Sequence, residues 1–431
     1  MSKKIAVIGA GPMGLAVAYQ LACDGYEPVI YEADDRIGGM SASFDFDGLK
    51  IERYYHFHCI TDSGLLEILK ELNLEQKMLW TETRMGYWYQ DRVQAWGNPV
   101  ALLKFKGLGI FSKIRYGLFA FLCTKRHNWK PLDKKEATTW IKQWVGRKAW
   151  DILWRPLFEL KLYQYADKFS AAWIWSRIHR IGCSRYSIFR EKLGYIQGGS
   201  ETLLETLKTI IEEKGGVFKL SMPISKVVLS DNHVTGVETK EGFEKYDKVI
   251  STIPLPYIPQ MIPELPEDIL EKYRSVDNLA VVCIIVKLRK KLTENFWLNI
   301  NDPTMDIPGL VEYTNLCPLD QHVVYAPYYV PGDHPLYRKP DEFFVTKIKK
   351  YLIRINPNLE ETDILGMHIH RYLYAQPVSG PNFLETIPPT KLPVQGLWVA
   401  DTSYYYPFDR GISESIDFGR KLARGACLDK E

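Results

Sequence analysis

Apolar residues in this chain follow two spacings in turn, and the order in which they alternate outlines the fold. Ile5 to Ile8 is a short unbroken apolar run closed by Gly9, the pattern of a parallel strand buried on both faces. From about Pro12 to Asp24 the spacing is helical, with Pro12 suited to a first turn. Pro28 to Tyr31 reads as a second strand ending at Glu32, and Ser63 to Leu72 as a helix. Residues 81 to about 190 read as helical and aromatic-rich. A helix from Glu201 to Lys214 then leads into short strands at 217–220, 225–229 and 234–239, and another that closes on Val249-Ile250-Ser251-Thr252-Ile253-Pro254. Ala280 to Leu288 and Val323 to Val330 read as strands of a second sheet. Near the end, Gly396 to Asp401 is a strand that finishes on an acid, and Arg410-Gly411-Ile412 opens a last helix. No repeat or low-complexity tract interrupts this order.

The first turn carries chemistry. Gly9, Gly11 and Gly14 form GxGxxG between strand and helix. The first glycine permits the tight turn, the second lets backbone approach a pyrophosphate, and the third lets helix pack on strand. The helix opening at Pro12 and Met13 aims its N-terminal amides at phosphate. Glu32 stands where a carboxylate can accept hydrogen bonds from a ribose hydroxyl. The continuation from Ala33 through Arg36 to Gly38, Gly39 and Met40 adds a cation and a second stretch of bare backbone. A simple nicotinamide site needs neither, whereas a ligand with a ribityl-phosphate arm needs both.

With these residues the chain resembles the FAD-dependent flavin amine oxidase and protoporphyrinogen oxidase superfamily, which includes phytoene desaturases and carries E-x-x-x-R-x-G-G directly after GxGxxG. The resemblance implies FAD, with Glu32 on the adenosine ribose and Arg36, Gly38 and Gly39 near the phosphates and ribityl chain. Asp401 would contact the ribityl or pyrophosphate, and the helix opening at Gly411 and Ile412 would face the isoalloxazine. Ile224 would pack on the adenine through its backbone, with Ala33, Met40 and Thr252 beside it in the cofactor set. Looser motifs, among them Trp154-Arg155-Pro156-Leu157 and Leu193-Gly194-Tyr195, continue the likeness in order. The implied fold is α/β: an FAD-binding Rossmann-type doubly wound domain from residues 1–80, 191–255 and 385–431. It is interleaved with a mixed sheet-plus-helices substrate domain from 81–190 and 256–384.

Length and composition bound the rest. The 431 residues are enough for two domains with sizeable cores. A net charge of +3 gives no general pull toward nucleic acid. Seven scattered cysteines without a CxxC pair suit a reduced, cytoplasmic protein, and none stands in an evident flavinylation motif. The start runs from MSKK straight into the first strand, so no cleavable leader is expected. No apolar run has the length of a membrane span.

Catalytic candidates cluster at Arg53, His56 and His58. An imidazole there could exchange protons near neutral pH and Arg53 could hold an anion, or each histidine could be a packing residue. The His56-Phe57-His58 stretch also resembles one in UDP-galactopyranose mutases, which keeps a redox-neutral isomerase acting on a sugar nucleotide as an alternative. A non-catalytic flavin scaffold is a third reading. His368-Ile369-His370 reads as a strand segment whose two imidazoles point to opposite faces, which argues against a shared metal, and no metal site is expected anywhere.

Lys104 to Lys135 holds nine Lys or Arg against one acid, Asp133, around an apolar helical face of Phe111, Ile114, Leu118, Phe121 and Leu122. Either this helix lies on the inner face of an anionic membrane, or it is a buried substrate-domain helix with a solvated basic flank. The expected partner is otherwise a small-molecule substrate, lipid-like or a sugar nucleotide.

Overall fold

The computed structural model describes residues 4–187 and 190–428. The first three residues, on which the expectation about a leader rests, lie outside the described residues. Five parallel strands form the first sheet: β1 (Lys4–Ile8), β2 (Glu27–Tyr31), β3 (Val217–Lys219), β4 (Val249–Ser251) and β5 (Leu397–Val399). They lie in the order β3-β2-β1-β4-β5, that of a doubly wound nucleotide-binding sheet. Ile8 stands opposite Tyr31 and Ser251, so β1, β2 and β4 end together at one edge.

Side chains alternate across this sheet as strand geometry requires. Ile5, Val7, Ile30, Ile250 and Trp398 face one layer of helices. These are α1 (Pro12–Cys23), α2 (Ser63–Glu71), α3 (Ser200–Glu213) and α4 (Ile412–Leu428). Ala6, Ile8, Val29, Tyr31 and Val249 face the opposite core. There the strands Lys226–Ser230, His233–Thr239 and Gly242–Lys245 form a small sheet of their own. α4 crosses α1 closely, because a Cβ on Gly419 would stand only 2.6 Å from the Met13 carbonyl oxygen.

A seven-stranded sheet makes the second layer system. Its strands run in the order Ile364–Pro377, Asn278–Leu288, His322–Pro331, Gly309–Glu312, Trp297–Asn301, Met85–Tyr89 and Val93–Trp96. All pairs are antiparallel except Trp297–Asn301 with Met85–Tyr89. Ala280, Val282 and Ile284 pack on Phe344, Ile348 and Leu352 of the helix Asp341–Ile355. The other face, with Val281, Cys283, Ile285, Tyr325 and Tyr329, meets Phe44, Phe46, Ile51 and Tyr54 of the segment that follows the second glycine pair. That contact sets the roof sheet against the nucleotide-binding half.

His368 and His370 correct the expectation made for them. Both rings lie on one face of their strand, 6.4 Å apart and nearly parallel, and both meet Phe44. A strand repeats every two residues, so positions i and i+2 share a face and the expected opposition was wrong. Among the described residues, no three His, Cys, Asp or Glu side chains gather to hold a metal ion. All seven cysteines are free.

Candidate functional site

The two glycine turns form one cradle at the end of β1. Gly9 has φ 98° and donates its amide to the Tyr31 carbonyl at 2.8 Å, and a Cβ on Gly14 would stand 1.9 Å from the Gly9 oxygen. Those two positions accept only glycine. Around the Gly11 Cβ position there is nothing within 4 Å, so this turn presents bare backbone to open space. Gly38 and Gly39 both take positive φ, and the Gly38 amide donates to the Ala10 carbonyl at 2.8 Å. A Cβ on Gly39 would lie 3.4 Å from the Gly11 Cα. Pro12 and buried Met13 open α1 immediately behind.

Glu32 closes the acid side. Its carboxylate accepts the Ala10 amide at 2.7 Å and the Asp34 amide at 2.9 Å. Exposed Ala33 follows, and then a loop carrying Ile224 passes alongside, since Ser221 and Met222 donate to the Asp34 and Glu32 carbonyls at 2.8 Å each. Thr252 seals the turn from β4, with its hydroxyl donating to Ile8 O at 2.9 Å. Arg36 is not gathered with these groups. It pairs with Asp35 at 2.7 Å and donates to Ser43 O at 3.1 Å. Half-buried Met40 packs instead against the core under the roof sheet.

Asp401 lies at the end of β5, buried, and both its oxygens are used by protein. It accepts the Leu255 amide at 3.0 Å and caps the short turn Thr402–Tyr405 through the Ser403 amide at 2.8 Å. Burial raises its carboxyl pKa, partly offset by those amides. These hydrogen bonds tie the β4 and β5 loops together. Gly411 and buried Ile412 start α4, with the Glu414 carboxylate of the first turn lying against Gly411.

The three catalytic candidates separate. His56 Nδ1 meets Glu52 Oε2 at 2.5 Å and its Nε2 lies 3.3 Å from Ser41 Oγ, next to the second glycine turn. Glu52 also accepts the Ser200 amide of α3 at 2.7 Å, and its carbonyl accepts the Tyr325 hydroxyl of the roof sheet at 2.8 Å. Burial would raise the Glu52 carboxyl, but His56 and the Ser200 amide outweigh it and hold it below the usual range. His58 is buried, 4.0 Å from Asp62, and burial pulls it down to about 4, so it is neutral at pH 7. Arg53 pairs with Asp34, whose amide is held by Glu32, and not with Glu52 or His56.

Sequence reasoning missed a second constellation. Arg177 pairs with Asp409 at 2.5 Å, Arg410 donates to Gln376 and, at 2.9 Å, to the Tyr329 hydroxyl, and Lys161 lies 4.7 Å over the Tyr329 ring. These side chains come from two helices, two roof strands and the loop before α4. No local spacing joins them; only the Arg410-Gly411 motif pointed to this place.

Comparison with known proteins places this geometry. A family model described as flavin containing amine oxidoreductase matches residues 14–388. A 15-cis-phytoene desaturase of Synechococcus elongatus is 22% identical over 322 residues, covering 68% of this chain and 66% of that protein. A mitochondrial protoporphyrinogen oxidase of Nicotiana tabacum is 26% identical over 159 residues, 36% of this chain and 32% of that one. The chain thus spans less than two thirds of the length of these two relatives. Among solved structures, a putrescine oxidase bound to putrescine superposes with a TM-score of 0.76 at 16% identity, over 100% of both chains.

Proposed function

This chain belongs to the flavin-containing amine oxidoreductase family, and we propose that it binds FAD non-covalently and oxidises an apolar or amphipathic substrate reached from a membrane surface. The observation that carries the reading is the joining of both glycine turns into one cradle, through Gly38 N to Ala10 O, with open space at Gly11. A nicotinamide dinucleotide uses only the first turn, whereas FAD also needs bare backbone beyond its pyrophosphate, and the residues present fit it. When bound, FAD supplies acceptance of a hydride from a substrate C–H bond, chemistry that no side chain offers.

The chain's own groups bind and orient. Glu32 would hold the adenosine ribose, the Gly11, Gly38 and Gly39 backbone the phosphates, and the Ile224 loop the adenine. The Glu52–His56–Ser41 chain fixes the second turn against α3 and the roof sheet. The inner face of that sheet, lined by Tyr325 and Tyr329, excludes water from the seam. Denaturing the purified protein and chromatographing the released nucleotide tests this: FAD in molar equivalence to the chain is expected, and FMN or NAD alone would overturn it.

The membrane part of the reading is supported by the helix Ile110–Lys125. It rests on the core through Phe119 and Cys123, and its apolar stripe faces outward. Phe111 is 81% exposed, Ile114 59%, Leu118 51% and Phe121 57%. Exposed Val100 and Leu103 of the helix Pro99–Lys104 join them. A contiguous apolar patch ringed by cations matches an interfacial site on anionic lipid. Among the described residues no helix is long and apolar enough to cross a membrane. Each cation near such a surface contributes about 1 kcal/mol, screened over about 8 Å at physiological salt. Sedimentation with anionic liposomes is expected at low salt, with a fraction retained at high salt that Phe111→Ser with Leu118→Ser removes. Protein left in the supernatant at low salt would overturn this part.

A further inference from the structure

The charges on the substrate side do not cancel. Lys161 and Arg410 both lie against the Tyr329 ring, at 4.7 and 5.3 Å from its centroid, and Arg177 covers Trp173 at 3.3 Å. Asp409 is the carboxylate they share: it pairs with Arg177 and accepts the Arg410 backbone amide. Arg180, just behind, is already neutralised by Asp62 through two hydrogen bonds of 3.0 and 2.7 Å. With Glu414 of the first turn of α4 counted beside Asp409, three cations face two carboxylates, which leaves an excess of one positive charge when Lys161 is protonated and Glu414 is ionised.

The place of this excess matters. Tyr329 comes from the inner face of the roof sheet and Asp409 leads into the N-terminus of α4, so the cluster sits at the seam between the two halves. Arg177 and Asp409 are surrounded by protein, and their side chains keep 17% and 30% exposure. Burial, with Arg177 and Arg410 alongside, pulls the Lys161 ammonium down to about 7. A buried cation is tolerated when an anion joins it. The same field repels an ammonium.

We propose that Lys161, Arg177 and Arg410 form a subsite for a phosphate or pyrophosphate group carried by the substrate, and that this subsite excludes amines. Calling the ligand a substrate rests on the flavin oxidoreductase reading; the anion site itself rests on the cluster. A phosphate-bearing lipid or a soluble phosphate ester would satisfy it equally.

Isothermal titration of the FAD-saturated protein with inorganic pyrophosphate tests the proposal, with FAD content measured on the same samples. Saturable binding is expected, weakened about tenfold or more in Lys161→Gln and separately in Arg410→Gln, and retained in Lys161→Arg. Putrescine should not bind. Tighter binding of octyl phosphate, with the same dependence on Lys161, would identify the source as a lipid; equal binding would identify a soluble ester. Pyrophosphate binding that is absent, or equal in parent and both variants, overturns the anion site and leaves the flavin reading standing. Lys161-dependent binding by a chain that yields no FAD does the reverse.

Discussion

Where the two glycine turns meet, this protein presents backbone, and where the roof sheet meets the loop before α4, it presents side chains. Gly9, Gly11, Gly14, Gly38 and Gly39 build their cradle from amides and carbonyls, with Glu32 as the one carboxylate that closes it. Across the seam, Lys161, Arg177, Arg410, Asp409, Tyr329 and Gln376 meet through their side-chain tips. A backbone site is set by where the main chain can approach, and Gly9 and Gly14 leave no room for a Cβ. A side-chain site can change its ligand with a single substitution while the fold stays as it is. This difference fits a family in which desaturases, porphyrinogen oxidases and amine oxidases share one fold.

The sharpest way to break the comparison is to add a side chain to the backbone end. Gly14→Val should cost about 1–3 kcal/mol or more, because the Gly9 carbonyl at 1.9 Å has nowhere to move. Thermal unfolding and flavin content should fall together. Gly11→Ala should separate them: its Cβ enters open space, so the apo-protein's melting temperature should hold while bound FAD is lost. Unchanged FAD content in Gly11→Ala would mean the open space is not the cofactor's.

Glu32→Ala comes next. Losing one charge-assisted acceptor should weaken FAD by about 1.5–3 kcal/mol in a titration of apo-protein. Because Glu32 also holds the Ala10 and Asp34 amides, part of that loss should appear as a looser turn in amide hydrogen exchange. Equal affinities would place the ribose elsewhere.

The smallest effect concerns His58. His58 has a folded pKa of about 4 against an ordinary 6.5, lowered by burial. Between those values the unfolded chain binds the proton and the folded one does not. Stability from this residue is therefore present above about pH 6.5 and lost as pH falls toward 4. His58→Gln should flatten the acid side of the stability profile by a fraction of the about 3 kcal/mol that the full shift represents, since buried groups relax and admit water on ionising. An unchanged slope would mean His58 is not buried in solution.

What the sequence revealed divides along the same line. The unit from β1 through β2 and both glycine pairs was legible because backbone constraints show as glycine spacing within about forty residues. The strands were legible as returning apolar runs, whereas their order in the sheet came from the structure. The Lys161–Arg177–Arg410 cluster was not legible, because its members are brought together from remote segments by the roof sheet and α4. Glu52 stood at the head of the Glu52–His58 stretch, yet its role depends on Ser200 and Tyr325 and leaves no local signal. The helix at Ile110–Lys125 showed an apolar stripe in sequence, but periodicity reports a stripe without saying which way it faces. Phe119 and Cys123 took the core side and left Phe111 and Leu118 outside. The error over His368 and His370 was a misapplied period, which the stacked rings correct.

The central claim is oxidation by a bound flavin of an amphipathic substrate with an anionic head. The most direct test is anaerobic mixing of the holoenzyme with lipids of its own cells, fractionated by charge, while the flavin's visible absorbance is followed. Bleaching by an acidic fraction, and not by neutral or amine-bearing ones, is the predicted result. A flavin that stays oxidised with every acidic fraction, or that is reduced by the amine-bearing lipids instead, would contradict it.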